Sequence, residues 1–282
     1  MKNFIAGALA TLVLCTSFPN QSSAAGNLMV SPTRIVFEQG DRSAQVTLVN
    51  RGDKAGNFRI SFIRQNMTEN GDFVPVEEGE DGLFSDSMIR FSPRQIRLPP
   101  GQSQVVRMVL RRPADMIKGE YRSHMLFQAL PEPSSTSVEA MTQQQSPEGI
   151  TIELVPIVGV SIPVIVRQGD LQNSVTLTRA ELIQTDASDQ GPRLAVNINR
   201  EGTGSAYGDL RATFMAEGSP PIVIAQANSV AVYANMQTRR FELPINLPAG
   251  TSLEQGEVNL VFLESGATED SGILASTRLA LN

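Results

Sequence analysis

Short alternations of apolar and polar residues run through most of the chain. Gln45–Val49 alternates before the polar turn Asn50-Arg51-Gly52-Asp53, and Phe58, Ile60 and Phe62 alternate with Arg59, Ser61 and Ile63. Val105–Leu110 does the same after the forced turn Pro99-Pro100-Gly101. A period of two puts one side of a strand in a core and the other in water. Ile89–Phe91, Gln95–Leu98 and Tyr121–Ala129 read as further strands, and Asn70-Gly71-Asp72 supplies the positive-φ tolerance of a hairpin turn. No stretch of a dozen residues carries helical periodicity. A strand and a turn every eight to twelve residues predicts an all-β antiparallel sandwich.

Two segments depart from this rhythm. Leu130–Gly149 is rich in Pro, Ser and Gln and lacks periodicity, which predicts a long loop. Ile150–Val166 follows, with Ile150, Ile152, Leu154, Pro156, Val158, Val160, Ile162, Val164 and Val166 on one parity. As one strand it would reach roughly 56 Å. Pro156 and Pro163 cannot donate to a ladder, which places them on a sheet edge or at bends. A long apolar edge invites pairing with another chain. Val160–Val166 are expected in the core, and Ile150–Leu154 are available for a partner.

Gln168-Gly169-Asp170 reads as a junction. Beyond it a second strand series is expected at Val175–Leu182, Arg193–Asn199, Asp209–Phe214, Ile222–Ala225, Val230–Tyr233, Arg239–Leu243, Gly256–Leu263 and Ile273–Leu281. The expected division is residues 1–25 as a leader, 26–168 as a first sandwich and 169–282 as a second.

Composition narrows the chemistry. Met1–Ala25 has Lys2, an apolar run Phe4–Cys15, the helix breaker Pro19 and the small residues Ser22-Ser23-Ala24-Ala25, the pattern of a cleaved secretory signal. Leu14, just before Cys15, is too large for a lipidated cysteine site. Cleavage removes the only Cys, so no disulfide or Cys-based metal site is expected in the mature chain. The lone His, His124, argues against multi-His metal sites and reads as structural. The net charge of −6 gives no general pull toward nucleic acid. The mature chain has no long apolar run, so membrane insertion is not expected. Glu77–Gly82 matches a calcium loop in composition but lacks its ligand spacing. Arg107, Arg111 and Arg112 form a basic cluster; Arg107 and Arg111 share parity and could meet an acidic partner, with surface solvation as the default.

The order of motifs over Leu28–Arg167 resembles the periplasmic chaperones of chaperone–usher pilus assembly. Ser31-Pro32-Thr33-Arg34-Ile35-Val36-Phe37 resembles that family's first strand, and Gln45–Asn50 its second strand with a terminal Asn. Phe91-Ser92-Pro93, Leu98-Pro99-Pro100-Gly101 and Val106-Arg107 resemble its proline-bounded middle. Glu120-Tyr121-Arg122 through Leu130-Pro131 resembles the sixth strand, and Ser161-Ile162-Pro163-Val164-Ile165-Val166-Arg167 the end of the seventh, as in the archaic branch. The resemblance implies two Ig-like β-sandwich domains in an L-shape, located in the periplasm. It implies pilus subunits and an outer-membrane usher as partners, with no cofactor and no enzymatic activity.

It also implies donor-strand complementation, in which the chaperone lends its seventh strand to a subunit lacking one. Ile150, Ile152, Leu154 and Val158 are then the donor residues. The family's subunit carboxylate is held by two basic residues. Arg34 matches the first, while Pro163 stands where the second, a Lys, is usual. Arg167 or Arg122 could replace it. The free protein could also self-associate through its edge. The competing reading is a structural or adhesive accessory protein of a surface appendage. A carbohydrate-binding or hydrolytic sandwich is disfavoured, because Trp is absent and aromatics are scarce.

Overall fold

The structure, a computed structural model, describes residues 27–77, 79–131, 157–184, 191–248, 251–268 and 271–281. The leader, most of the Leu130–Gly149 loop, Ile150, Ile152, Leu154 and Pro156 lie outside the described residues.

The architecture is all-β. In the first half, β1 (Leu28–Ser31), β2 (Ile35–Phe37), β3 (Ser43–Asn50), β4 (Gly56–Ile63), β5 (Gln65–Met67) and β6 (Phe73–Pro75) precede β7 (Ile89–Ser92), β8 (Gln95–Leu98), β9 (Ser103–Leu110), β10 (Gly119–Leu130) and β11 (Gly159–Gln168). They form two layers, β1-β3-β9-β7 and β2-β11-β10-β4-β8, while β5 and β6 make a separate hairpin. The chain changes layers between β1 and β2, where Pro32 interrupts the strand. β1 pairs antiparallel with β3, and β2 then runs parallel to β11, a sheet switch at the start of an Ig-like sandwich.

Alternation places Val46 and Leu48 of β3, Phe58 and Ile60 of β4, Val106 and Met108 of β9, and Met125 and Phe127 of β10 in one core. Ile162, Val164 and Val166 of β11 join it, with Val160 packed against its margin. Asn50 ends β3 by closing a turn: its Nδ2 donates to the carbonyls of Lys54 (2.7 Å) and Leu98 (2.9 Å), and its Oδ1 accepts from the Gly52 N–H (2.9 Å). Gly71, at φ 90°, forms the predicted turn between β5 and β6.

The second half contains β12 (Asn173–Ile183), β13 (Arg193–Gly202), β14 (Ala206–Met215), β15 (Ile222–Val232), β16 (Thr238–Pro244), β17 (Gly256–Glu264) and β18 (Ile273–Leu281). Its layers are β12-β13-β16 and β15-β14-β17-β18, closing on Leu194, Val196, Ile198, Leu210, Phe214 and Phe262. Ile222–Ala225 and Val230–Tyr233, expected as two strands, are joined in the one strand β15, with Tyr233 just past its end. A bulge joins them: the β14–β15 register shifts between Gly208 and Leu210, and Ser229 takes φ 60°. The Ser229 N–H donates to Asp209 Oδ1 (2.8 Å), so the irregular residue breaks the apolar period without ending the strand.

A small third core lies where the halves meet. It comprises Met67, Ile165, Ala231 and Tyr233, flanked by Val36, Tyr207 and Met236. The β5–β6 hairpin leans on the second half through the Arg240 N–H to Glu69 carbonyl bond (2.8 Å) and the Asn235 Nδ2 to Asn66 Oδ1 bond (3.2 Å).

Candidate functional site

The site begins with an unpaired stretch of backbone. β11 pairs with β10 from Gly159 to Gln168, but with β2 only from Val164 to Val166. Its outer edge is therefore open before Val164. The Ala129 N–H donates to the Val158 carbonyl (3.1 Å). Antiparallel alternation then turns the main-chain groups of Gly159, Ser161 and Pro163 outward. Gly159 and Ser161 offer both a donor and an acceptor there, whereas Pro163 offers only its carbonyl. Ile157 and Val158 are about half exposed beside this edge.

Arg34 lies at the end of the open stretch. The parallel register places Ile35 beside Val164, so Arg34 falls in line with Pro163, and Pro163 is opposite His124 on β10. The Arg34 guanidinium packs over the Tyr207 ring at 4.3 Å from its centroid and lies 5.9 Å from that of Tyr233. Arg122, also on β10, packs over Tyr233 at 3.7 Å. Its Nη2 donates to the Gln65 carbonyl (3.2 Å) and to Asn235 Oδ1 (3.1 Å). Tyr233 thus meets cations from Arg34, just before β2, and from Arg122 of β10, while Phe73 and His124 meet edge to face at 4.9 Å.

The polarity of this cluster is one-sided. Arg34 Nη1 and Nη2 and Arg122 Nη1 are buried and have no hydrogen-bond acceptor among the described residues. Burial pulls both guanidinium pKa values below the ordinary range, opposed by Tyr233 and by Glu120. The charge of Arg34 also acts on Arg122 in the lowering direction, so the two cations stand close enough to repel. Aromatic faces recover part of the lost hydration through cation–π attraction. Three unmatched Nη amino groups on neighbouring cations make a site suited to a bidentate anion such as a carboxylate.

Arg167 also acts electrostatically on Arg34, but its own guanidinium has acidic partners. Its Nη1 lies 2.8 Å from Glu38 Oε1, and its Nε lies 3.2 Å from Glu120 Oε2. Glu120 is buried, accepts from the Ser205 N–H (3.2 Å) and also accepts from the Ser205 hydroxyl. Ser205 in turn accepts from the Ala234 N–H (3.1 Å). Arg200 fixes the loops on that side by donating to the carbonyls of Gly202, Gly204, Ala234 and Met236. A cleft of about 520 Å³ opens beside the cluster, lined by Leu83, Phe84, Lys118, Arg122, Tyr233 and Asn235 among others.

The structure therefore brings Arg34, Arg122 and Arg167 into one electrostatic neighbourhood at the foot of the open edge, with Val158 farther along that edge. Sequence reasoning did not find Tyr207, Tyr233, Glu120, Ser205 or Asn235. A signal for part of the set was present: Glu120, Arg122 and His124 share one parity on a strand whose neighbours are apolar. These three polar residues lie on the face opposite the core residues Met125 and Phe127, and because they are buried there they require partners from elsewhere in the fold.

His124 gives a first testable consequence. Both ring nitrogens are buried without partners among the described residues, and burial together with the Arg122 charge pushes its pKa down from 6.5 to about 4. A folded-state value below the unfolded one means the neutral ring is favoured by folding. That contribution is complete above about pH 6.5 and is lost as pH falls toward 4. Full loss corresponds to about 3 kcal/mol. Urea midpoints measured from pH 7.5 to 4 should fall more steeply for the parent than for His124→Gln; parallel curves would contradict a buried neutral imidazole.

No family model matches the chain, and no curated protein does. Solved structures do. The YadV chaperone matches with 9% identity over 90% of this chain and 100% of its own, at a TM-score of 0.44. The CupB2 chaperone of Pseudomonas aeruginosa matches with 11% identity over 90% and 100%, at 0.42. The SafB chaperone complex with SafA pilin from Salmonella enterica matches with 14% identity over 90% and 96%, at 0.39. Class 5 fimbriae chaperone CfaA and the periplasmic chaperone SfaE are also among the neighbours. The solved structures named above are chaperones, among them one of class 5 fimbriae and one in complex with a pilin.

Proposed function

We propose that the chain is a periplasmic chaperone of the chaperone–usher type, with two Ig-like domains divided near Gln168–Asp170. It holds secreted, strand-deficient pilus subunits by donating its β11 edge and passes them to an outer-membrane usher. The observation that carries this reading is the conjunction of an open β11 edge with buried, acceptor-seeking Arg34 and Arg122 at its foot. Main-chain hydrogen bonds from Gly159 and Ser161 would pair an incoming strand, and apolar side chains of alternate residues would fill its groove. Val158 is the described member of that series; Ile150, Ile152 and Leu154 continue its parity in sequence. Arg34 and Arg122 would grip the subunit's terminal carboxylate, with Arg167 adding charge nearby. No covalent step and no cofactor enter this mechanism.

The test is co-expression of the full chain with secreted subunits from the same genomic neighbourhood, followed by affinity capture. A subunit should co-purify at a one-to-one ratio. Replacing Val158 and Ile152 together with Asp should reduce recovery at least tenfold, because two charges would enter an apolar groove, while the urea midpoint stays at the parent value. Failure of every subunit to co-purify with the parent would overturn the reading.

A further inference from the structure

We propose that the outer face of the β1-β3-β9-β7 layer is a second, independent interaction surface that takes a protein partner presenting a flat, carboxylate-rich face. Residues 87–114 contain six arginines, Arg90, Arg94, Arg97, Arg107, Arg111 and Arg112, and no Asp, Glu or Lys, within a chain of net charge −6. The register concentrates some of them. Arg90 is opposite Val109, Arg107 is opposite Ser92 on β7 and Gln45 on β3, and the two arginines are therefore diagonal neighbours on one face. Arg42 and Arg111 flank the end of the same sheet, where the Leu110 N–H donates to the Arg42 carbonyl (2.9 Å).

The strands β1, β3, β7 and β9 contain no acidic residue. Arg42, Arg90, Arg107 and Arg111 are exposed, and none forms an ion pair among the described residues. Arg112, by contrast, is tied to the Arg167 and Glu38 carbonyls.

Charge complementarity fixes the sign of the partner, and the residue types fix its class. Guanidinium groups without lysines favour planar, bidentate pairing with carboxylates, and Arg is enriched where proteins meet while Lys is depleted. Val109, 48% exposed, lies between Arg107 and Arg111 and opposite Arg90, with half-buried Val105 on the other side of Arg107, which gives the face apolar ground among its cations. The aromatic anchors and amphipathic helix of a membrane-surface binder are not part of this face. The surface belongs to the layer opposite the one containing β11. A partner seated there leaves the open edge and Arg34 untouched, so the two sites can be filled at once.

The purified full chain provides the test, with immobilised poly-L-glutamate and phosphatidylglycerol vesicles as probes. Arg90→Glu with Arg107→Glu should weaken binding to poly-L-glutamate at least tenfold, and Arg90→Gln with Arg107→Gln by an intermediate factor. Arg59→Glu with Arg97→Glu makes the same charge change on the other layer, where these residues are also diagonal neighbours. It should change binding less than twofold. Absence of binding by the parent, equal losses in both Glu pairs, or preference for the vesicles would each overturn the proposal. So would a parent that sediments as a dimer and is dispersed by the Arg90 and Arg107 changes, since the occupant would then be a second copy.

Discussion

Replacing Arg34 with Met should abolish subunit capture while leaving the fold as stable as before, or more so. The two effects separate because the guanidinium does little for the folded chain alone. Its Nη atoms are buried without an acceptor among the described residues, and burial lowers its pKa. An unmatched buried cation is a cost to folding, offset in part by the Tyr207 ring 4.3 Å away. Met retains much of the volume and removes the charge. In the complex, the same nitrogens would make charge-assisted bonds to a desolvated carboxylate, where truncation of one partner typically costs about 2–5 kcal/mol. On the order of a 100-fold loss in capture is therefore expected, with a urea midpoint equal to or above that of the parent. Arg34→Lys should be intermediate, because an ammonium gives a point charge without the fork. Unchanged capture in Arg34→Met would remove the carboxylate grip. Capture and stability falling together would give Arg34 a structural role instead.

Glu120→Ala should have the opposite signature, with a large loss of stability. Glu120 is the acceptor at the junction, buried at the start of β10 and bonded to Arg167 and to both donors of Ser205 in the second half. Removing one member of a buried charged pair leaves the others desolvated and unmatched, at about 3–5 kcal/mol. Arg167 retains Glu38, which places the expectation near the lower end. Loss of the Glu120–Ser205 link should also separate the transitions of the two halves. Calorimetry would show two overlapping peaks in the variant where the parent gives one. A single unshifted peak would mean that Glu120 does not couple them. Such uncoupling should widen the range of orientations at Tyr207 and Tyr233 and weaken capture indirectly.

These two residues also show what the sequence could and could not reveal. Strands such as Gln45–Val49 and Val105–Leu110 were legible because one face of each is buried and the other wet, so period two is written directly in residue type. The Asn70-Gly71-Asp72 turn was legible because a left-handed residue favours glycine. Arg34 was found through the motif around it. Its aromatic floor was not, because Tyr207 and Tyr233 come from β14 and the end of β15, and nothing local marks a tyrosine that will receive a cation from another sheet. The same holds for Arg122 and Asn235, 113 residues apart. The bulge at Ser229 was read as a gap between strands, since periodicity cannot distinguish an interruption from an ending. The arginine-rich stretch was visible as composition, but only the register shows that Arg90 and Arg107 share a face.

Pro163 sets a limit on any chain that adds to β11. The outward positions run Gly159, Ser161, Pro163, and the last offers an acceptor without a donor. Immediately beyond it, β2 already occupies the edge at Val164. In the proposed complex, an added strand would find its last full donor–acceptor pair at Ser161 and one further acceptor at Pro163, the residue in line with Arg34. Backbone pairing would then end where charge recognition begins. On the proposed reading, the spacing between the two would act as a gauge of where the guest chain must terminate: a guest longer by one residue would have to buckle at Pro163, and one shorter would leave Arg34 unmatched.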